Sequence, residues 1–539
     1  MVSSEIEDLF RWIDDPPAGR TVSVASSVSA WEHHSYQELA RLTNAAARGL
    51  FAAGIRRNDV VVIAASQGLP LVAALYGTML AGATVAAVAP WRAFGNPDEY
   101  RDHLRHVADV AAPRIILTSA GLTAIAEAAD VKAQVRVIED VLATDASEAA
   151  APRPGRADLA LLQFTSGSSG PKRAVGVPYD ALAANVAAIR QWLDWTHQDA
   201  AAFWAPPYHD MGLVGGLLAP LASQCDLWLL TPEQFVRSPL TYLKCFGEHG
   251  ARLSALPSFG LEHIVRRVKP QALDGMDFSQ VKGLVIGGEP IHRAVLEQFC
   301  DLFEPFGLSP RAVLPAYGLA EATLAVSGLQ RGSLWTVRSP SAGGPGVVGC
   351  GPPLPGVTVT IVDEDGRPAR DGDVGEIVVE GRSVASGYRQ ANGPDSLTAF
   401  AGGTLRSGDA GFIVDQQLFP VGRLGDSIKL RGRPLFAEWL ETELVKLGYP
   451  RTRNVVLLGH RDGRPTVVWI AEDLRPPEPA DGLQLLARLS EGAETMLIRA
   501  AKGTIARTTS GKPRRRALWM DVVNDRIRGT ISTHSGTEG

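Results

Sequence analysis

The sequence predicts an α/β protein with a large N-terminal domain of mostly parallel sheets, then a small β-barrel subdomain, and a small α+β domain at the C-terminus. Three observations predict it. The chain has 539 residues, more than one hydrophobic core serves. Apolar strand-like runs alternate with longer helical patterns through most of the chain before Pro352, and such βαβ alternation implies parallel sheets covered by helices. After Pro352 the period changes to strict alternation, the pattern of half-buried antiparallel strands.

Taken in order, DVVVIAAS, PRIILTS, ALLQFTS, LWLLTP, ARLSALP and VKGLVIGG read as buried strands. Leu71–Pro90 is almost free of charge and nearly long enough to span a bilayer. Gly77, Gly82 and Thr84 interrupt it, so it reads as a small-residue helix followed by a strand, and no membrane span is expected. The proline-bearing segment Ala149–Gly155 reads as a linker, which suggests subdomains of about 1–150, 151–350 and 351–423. VTVTIVDEDGRPARDGDVGEIVVEG is two alternating strands around a D-x-D-G turn, the start of the small barrel. From Asp426 helices and strands are mixed, with a loop at Arg475–Gly482 and a polar tail, Gly529–Gly539, expected to be disordered.

Bulk composition narrows the function classes. With 45% hydrophobic and 21% charged residues the chain is ordinary globular protein, and its net charge of -5 lacks the basic excess that nucleic-acid binding requires. Cys225, Cys245, Cys300 and Cys350 form no CxxC pair and no zinc-ligand spacing, which fits a reduced compartment. The first residues, MVSSEIEDLFRWIDDPP, are acidic and amphipathic and lack the basic and apolar regions of a secretory signal, so a cytoplasmic location is expected.

Five segments carry candidate chemistry. Phe164–Arg173, FTSGSSGPKR, follows a strand with small residues, hydroxyls and freely turned amides that can wrap phosphate oxygens, although it does not meet GxxxxGK[ST] and a Ser/Gly loop is often only a loop. Leu284–Ile291, LVIGGEPI, precedes Pro315–Gly328, PAYGLAEATLAVSG. There an aromatic beside a glycine can stack on a base, and Glu321 is a hard carboxylate suited to Mg²⁺ or, equally, an acid at a helix start. Asp409 in LRSGDAGFI can accept hydrogen bonds from a diol. The last two segments are Pro420–Glu441 and Gly503–Leu518; in the latter Lys512 is either an active-site cation after TTSG or one more base of KPRRR.

The order and wording of these motifs resemble the adenylate-forming superfamily of acyl-CoA synthetases, luciferases and peptide-synthetase adenylation domains, across essentially the whole chain. Trp204–Gly216, Leu261–Val268 and YGLAEATLAVSG look most like the fatty acyl-AMP ligase branch. The resemblance implies an N-terminal domain, 1–423, and a mobile C-terminal lid, 424–539, that rotates between two half-reactions. It implies that Thr165, Ser166, Gly167, Ser168, Ser169 and Gly170 hold the β- and γ-phosphates of ATP. It places Gly288, Glu289 and Tyr317 around the adenine, with Pro290, Ala316, Gly318 and Leu319 beside them, and Asp409 and Arg423 on the ribose of ATP or AMP. Glu321 would hold Mg²⁺, and Lys512 would reach from the lid to the acyl carboxylate and α-phosphate. His209 would lie between nucleotide and acyl pocket, or be a structural histidine satisfied by Asp210.

Two departures from the family pattern stand out. The phosphate loop of relatives continues G-x-P-K-G, whereas here Gly170 is followed by Pro171, Lys172, Arg173 and Ala174, which suggests weaker ATP handling. The hinge position after Leu424, usually Asp or Lys in relatives, is Gly425, with a broader backbone range. Fatty acyl-AMP ligases carry an insertion thought to block the rotation needed for coenzyme A. Only a short segment separates Tyr388 from Ser407, which shifts the expected acceptor towards coenzyme A, with an acyl carrier protein as the alternative. A non-catalytic acyl-adenylate-binding protein is the remaining alternative. Retention of Glu321, Asp409, Arg423 and Lys512 together argues against it.

Overall fold

The computed structural model describes residues 2–27, 30–91, 96–143, 154–165, 173–341, 346–389, 397–430, 433–461, 463–472, 479–508 and 511–534. Two large sheets dominate. One runs Ala325–Gly328, Val313–Gly318, Gly283–Ile286, Leu253–Leu256, Ala201–Phe203, Leu227–Leu229, Thr21–Ala25, Trp31–Ser35 from edge to edge, parallel inside and antiparallel at both edges. The other runs Gly387–Tyr388, Ala174–Pro178, Leu159–Phe164, Thr84–Ala87, Val60–Ala64, Ile115–Thr118, Gln134–Val137, and its last five strands are parallel. All six apolar runs expected to be buried strands are strands here. Leu71–Pro90 is the expected helix and strand: Leu69–Leu80 is buried on all sides, as its unbroken apolar pattern requires, and Thr84–Ala87 follows it in the sheet. Among the described residues no helix is long and apolar enough to cross a membrane.

The sheets do not divide at the expected linker. Thr21–Ala25 joins the sheet of later strands by pairing in parallel with Leu227–Leu229, and Leu159–Phe164 joins the earlier sheet beside Thr84–Ala87. Chain order and sheet membership therefore cross near residue 150. Residues 149–153 of the expected linker lie outside the described residues.

The expected change of period is real. Val357–Val362 pairs antiparallel with Gly375–Gly381, which pairs with the long strand Thr404–Val414; that strand also carries Ala399–Ala401 and Gln417–Arg423. This five-stranded antiparallel sheet occupies the place of the expected small barrel.

The C-terminal part is a four-stranded sheet, Asn454–Arg461, Arg464–Glu472, Glu494–Ala500 and Gly529–His534. Alternate residues of Arg464–Glu472 point to opposite faces. Val467, Trp469 and Ala471 meet the helices Ala437–Lys446 and Pro479–Leu489, while Val468 and Ile470 meet Arg515–Val523. Two expectations fail here. Gly529–His534 is a strand paired with Thr495–Ala500, because its β-branched Thr530, Ile531 and Thr533 suit a ladder even though its composition is polar. Pro479–Gly482, read as part of a loop, opens the helix Pro479–Leu489, with proline at a position where a missing N–H does no harm.

Candidate active site

The nucleotide-binding candidates converge where the first large sheet meets the antiparallel one. Asp409 and Arg423 are cross-strand partners, and their side chains form an ion pair at 3.3 Å. The Tyr317 hydroxyl donates to Asp409 Oδ2 at 2.8 Å, and the Asp409 amide donates to Ser407 Oγ at 3.0 Å. Burial first, and then Asp409, push the Tyr317 hydroxyl well above its usual range, so it stays a donor. Gly318 can be nothing larger: a Cβ there would lie 1.9 Å from the Leu324 carbonyl oxygen. Gly288 adopts φ 74°, and the neighbouring Glu289 carboxylate accepts from the Phe259 amide at 3.1 Å.

Glu321 is buried on a single 3₁₀ turn, Ala320–Ala322, not at the start of an α-helix. The Tyr388 hydroxyl donates to its Oε1, and the Arg173 guanidinium stacks over the Tyr388 ring at 3.9 Å. The Thr165 amide donates to the Arg173 carbonyl at 2.9 Å, so strand Leu159–Phe164 and its return are tied at the base of the phosphate-loop candidate. Ser166, Gly167, Ser168, Ser169 and Gly170 lie outside the described residues. The arginine that departs from the family pattern thus sits beside the Glu321 carboxylate's own partner.

His209 and Asp210 end a turn before a π-helix, Met211–Leu218. Gly212 lets that helix start against the turn, because a Cβ there would lie 2.2 Å from the Pro206 carbonyl oxygen. His209 Nδ1 is 3.5 Å from Asp210 Oδ1, and the Met211 amide donates to the same oxygen at 2.8 Å. Burial pushes the Asp210 carboxyl upward, but His209, the Met211 amide and the charge of Lys512 together hold it below the usual carboxylate range. Lys512, from the C-terminal part, is therefore close enough to act on a group of the N-terminal part.

The described site candidates line one cleft of ≈ 1540 Å³ between the two parts. Thr165, His209, Gly288, Glu289 and Pro290 lie on it, as do Ala316, Tyr317, Gly318, Leu319 and Glu321. Asp409, Arg423, Gly425 and Lys512 complete the set, so every expected site residue that is described is brought to the same place. Apolar walls come from Trp204, Pro206, Val236, Phe259 and Val348. The sequence reasoning missed Gln163, Arg173 as a ring partner, and Tyr388, all of which line the cleft or touch its residues. Tyr388 carried a weak signal, a GY pair after a strand, but nothing in the sequence tied it to Glu321.

A buried ion cluster stands behind Lys512. The Arg515 guanidinium meets Glu441 at 2.9 Å, Glu438 at 3.1 Å and Asp426 at 3.3 Å. Burial is the main reason that the Glu438 carboxyl is pushed up to about 7, with Arg515 opposing and Asp426 and Glu441 adding to the rise. Arg451, 3.7 Å from Glu441, adds a second guanidinium to the cluster, and burial still favours the neutral form of Glu438. Among the described residues no group of three or more His, Cys, Asp or Glu side chains is placed to hold a metal ion, and a single buried carboxylate suits Mg²⁺, which takes most of its ligands from phosphates and water.

Comparison with known proteins places this geometry. Residues 9–389 match the family model described as AMP-binding enzyme. A putative acyl-CoA synthetase of Caulobacter vibrioides is 32% identical over 489 residues, covering 86% of this chain and 82% of that protein. JamA of Moorena producens, a medium-chain-fatty-acid–[acyl-carrier-protein] ligase, is 29% identical over 534 residues, covering 90% of this chain and 88% of its own. Among solved structures, one from studies of fatty acyl-adenylate ligases from E. coli and L. pneumophila superposes with TM-score 0.86 at 25% identity, covering 97% of this chain and 98% of that one.

Proposed function

Because the chain belongs to the AMP-binding enzyme family, an adenylate-forming ligase family, we propose that it activates an apolar carboxylic acid as an acyl-adenylate and passes the acyl group to the thiol of coenzyme A. The observation that carries this reading is the position of Lys512 in the same cleft as Glu321, the Asp409–Arg423 pair and His209.

The residues support the first step as follows. A carboxylate oxygen attacks the α-phosphorus of ATP, the bond to the β-phosphate oxygen breaks, and pyrophosphate leaves. Two anions must meet, so catalysis rests on in-line positioning and on charge stabilisation. Asp409 and Arg423 hold the ribose, with Tyr317 fixing Asp409. Lys512, a point charge on a flexible stem, stabilises the acyl carboxylate and α-phosphate. Glu321 fits as the protein ligand of Mg²⁺, which supplies charge neutralisation at the phosphates. His209, held by Asp210, stands between the nucleotide and the apolar wall.

In the second step the thiolate sulfur attacks the acyl carbon and AMP leaves. The short segment before Ser407 favours coenzyme A, while JamA's activity favours an acyl carrier protein as the second reading. A pyrophosphate-release screen across carboxylic acids of differing size tests the first step. A thioester assay offering coenzyme A and carrier protein in parallel tests the second: an acylated carrier with no acyl-CoA would refute the coenzyme A reading.

A further inference from the structure

The turn after Glu321 is strained and held from three sides. Thr323 is fully buried with φ 71° and ψ −56°, and the Leu324 amide donates to the Ala322 carbonyl across it at 2.9 Å. That is a γ-turn of the positive-φ kind, which is rare, and a β-branched residue suits its centre poorly. Strain of this sort persists only where the surroundings over-determine it, and it gathers at functional sites.

The surroundings here are specific. The Thr323 hydroxyl donates to the Ser383 carbonyl at 2.7 Å, and Gln163 Nε2 donates to the Thr323 carbonyl at 3.2 Å. The Ala385 amide donates to the Glu321 carbonyl at 2.9 Å. Asn185, fully buried, brackets Ala325 by donating to its carbonyl at 2.8 Å and accepting from its amide at 3.2 Å. Gln163 lies on the strand that feeds the phosphate-loop candidate, and Ser383 and Ala385 shortly precede Tyr388, the partner of Glu321. Gln163 is buried, and its Oε1 has no hydrogen-bond partner among the described residues. A buried amide held at that expense points to a positional duty for its other end.

We propose that Thr323 is a positioning residue for Glu321, and Gln163 its strut: the strained turn between them fixes the direction of the Glu321 carboxylate relative to the phosphate-loop strand. The proposal rests on the adenylate-forming reading, which makes Glu321 the magnesium ligand.

The test needs no turnover. The α,β-methylene analogue of ATP is titrated calorimetrically into the full chain with and without Mg²⁺, alongside AMP without metal. Wild type, Thr323→Val, Thr323→Ser and Gln163→Leu are compared. Thr323→Val removes the hydroxyl and should lower the magnesium-dependent gain in affinity roughly 10- to 100-fold, the scale of losing a hydrogen bond that orients a metal ligand. Thr323→Ser should restore it, Gln163→Leu should lower it, and metal-free AMP affinity should stay unchanged in the two Thr323 variants. An unchanged magnesium-dependent gain in Thr323→Val, or AMP affinity falling in step with it, overturns the proposal. If Thr323→Val does not fold, Gln163→Leu carries the test, and an unchanged magnesium-dependent gain in it overturns the proposal. A wild type that gains affinity from Mg²⁺ yet makes no acyl-adenylate would strike down the proposed function and leave the positioning role standing.

Discussion

Replacing Lys512 by alanine should separate the two half-reactions. In the structure Lys512 lines the cleft, and its charge helps to hold Asp210 below the usual carboxylate range across the boundary between the two parts. Under the proposed function this is the arrangement in which Lys512 would act in adenylation. Loss of one preorganised electrostatic contact to a transition state lowers a rate by about 10²- to 10³-fold, or roughly 2.7–4 kcal/mol. That is the expected loss when the variant is given acid and ATP and pyrophosphate is measured. With synthetic acyl-AMP and coenzyme A the loss should be small, because Lys512 is expected to leave the cleft as the lid turns. The departures in the phosphate loop and at Gly425 lead to a related expectation for the wild type, that thioester formation from supplied acyl-AMP outruns adenylation. Equal losses in the two assays would refute the reasoning: Lys512 would then be structural, or the lid would not turn.

Three further outcomes are expected. Asp409→Ala would remove the proposed charge-assisted bond to the ribose and should weaken AMP binding by roughly 1.5–3 kcal/mol in a titration; unchanged affinity would show that Asp409 does not face the ribose. Gly425→Ala should leave adenylation unchanged, because a Cβ there meets only Leu397 Cδ1, at an ordinary 3.5 Å, while any use of glycine's freedom in rotation should slow thioester formation; two unaltered rates would remove Gly425 as hinge. Burial pushes the Glu438 carboxyl up from the usual carboxylate range to about 7, so its neutral form is the one the fold favours. Its contribution to stability is therefore complete at low pH and is lost as pH rises through about 7. Glu438→Gln should flatten that part of a melting-temperature profile, and an unaltered slope would show that another group titrates.

How much of the site was legible depends on sequence distance. Asp409 and Arg423 stood in separate motifs yet pair because they sit in adjacent strands of one short hairpin, where register is set locally. Glu321 was legible as a type of residue, but its environment was not. Tyr388 reaches it from 67 residues away, Gln163 reaches Thr323 from 160, and Thr323 reaches Ser383 across 60. No local period encodes such ties, and the strained Thr323 carries no glycine or asparagine to announce a positive φ. The sheet division failed for a similar reason. A parallel strand such as Thr21–Ala25 takes a partner far along the chain, and its own apolar pattern does not say which.

The contacts around Gly425 would let the C-terminal part turn as one body. Arg515 lies three residues beyond Lys512, and its carboxylate partners Asp426, Glu438 and Glu441 all follow Gly425, so rotation there breaks none of them. The cluster links the first residue after the hinge to the segment that bears the lysine. Among the described residues, Lys429–Glu364 is an ion pair that does cross, and both side chains are well exposed. Exposed pairs contribute about 0–1 kcal/mol, a small barrier to parting. The apolar crossing contact is Phe436 and Trp439 against Ala410, Phe412 and Val421, next to the strand that runs into Gly425. Contact near an axis moves least, and apolar contact has no fixed direction to lose. Lys512 acts on Asp210 across the cleft through charge, so raised ionic strength should weaken adenylation more than thioester formation. Equal salt sensitivity of the two steps would mean that the lid is held by its apolar contact instead.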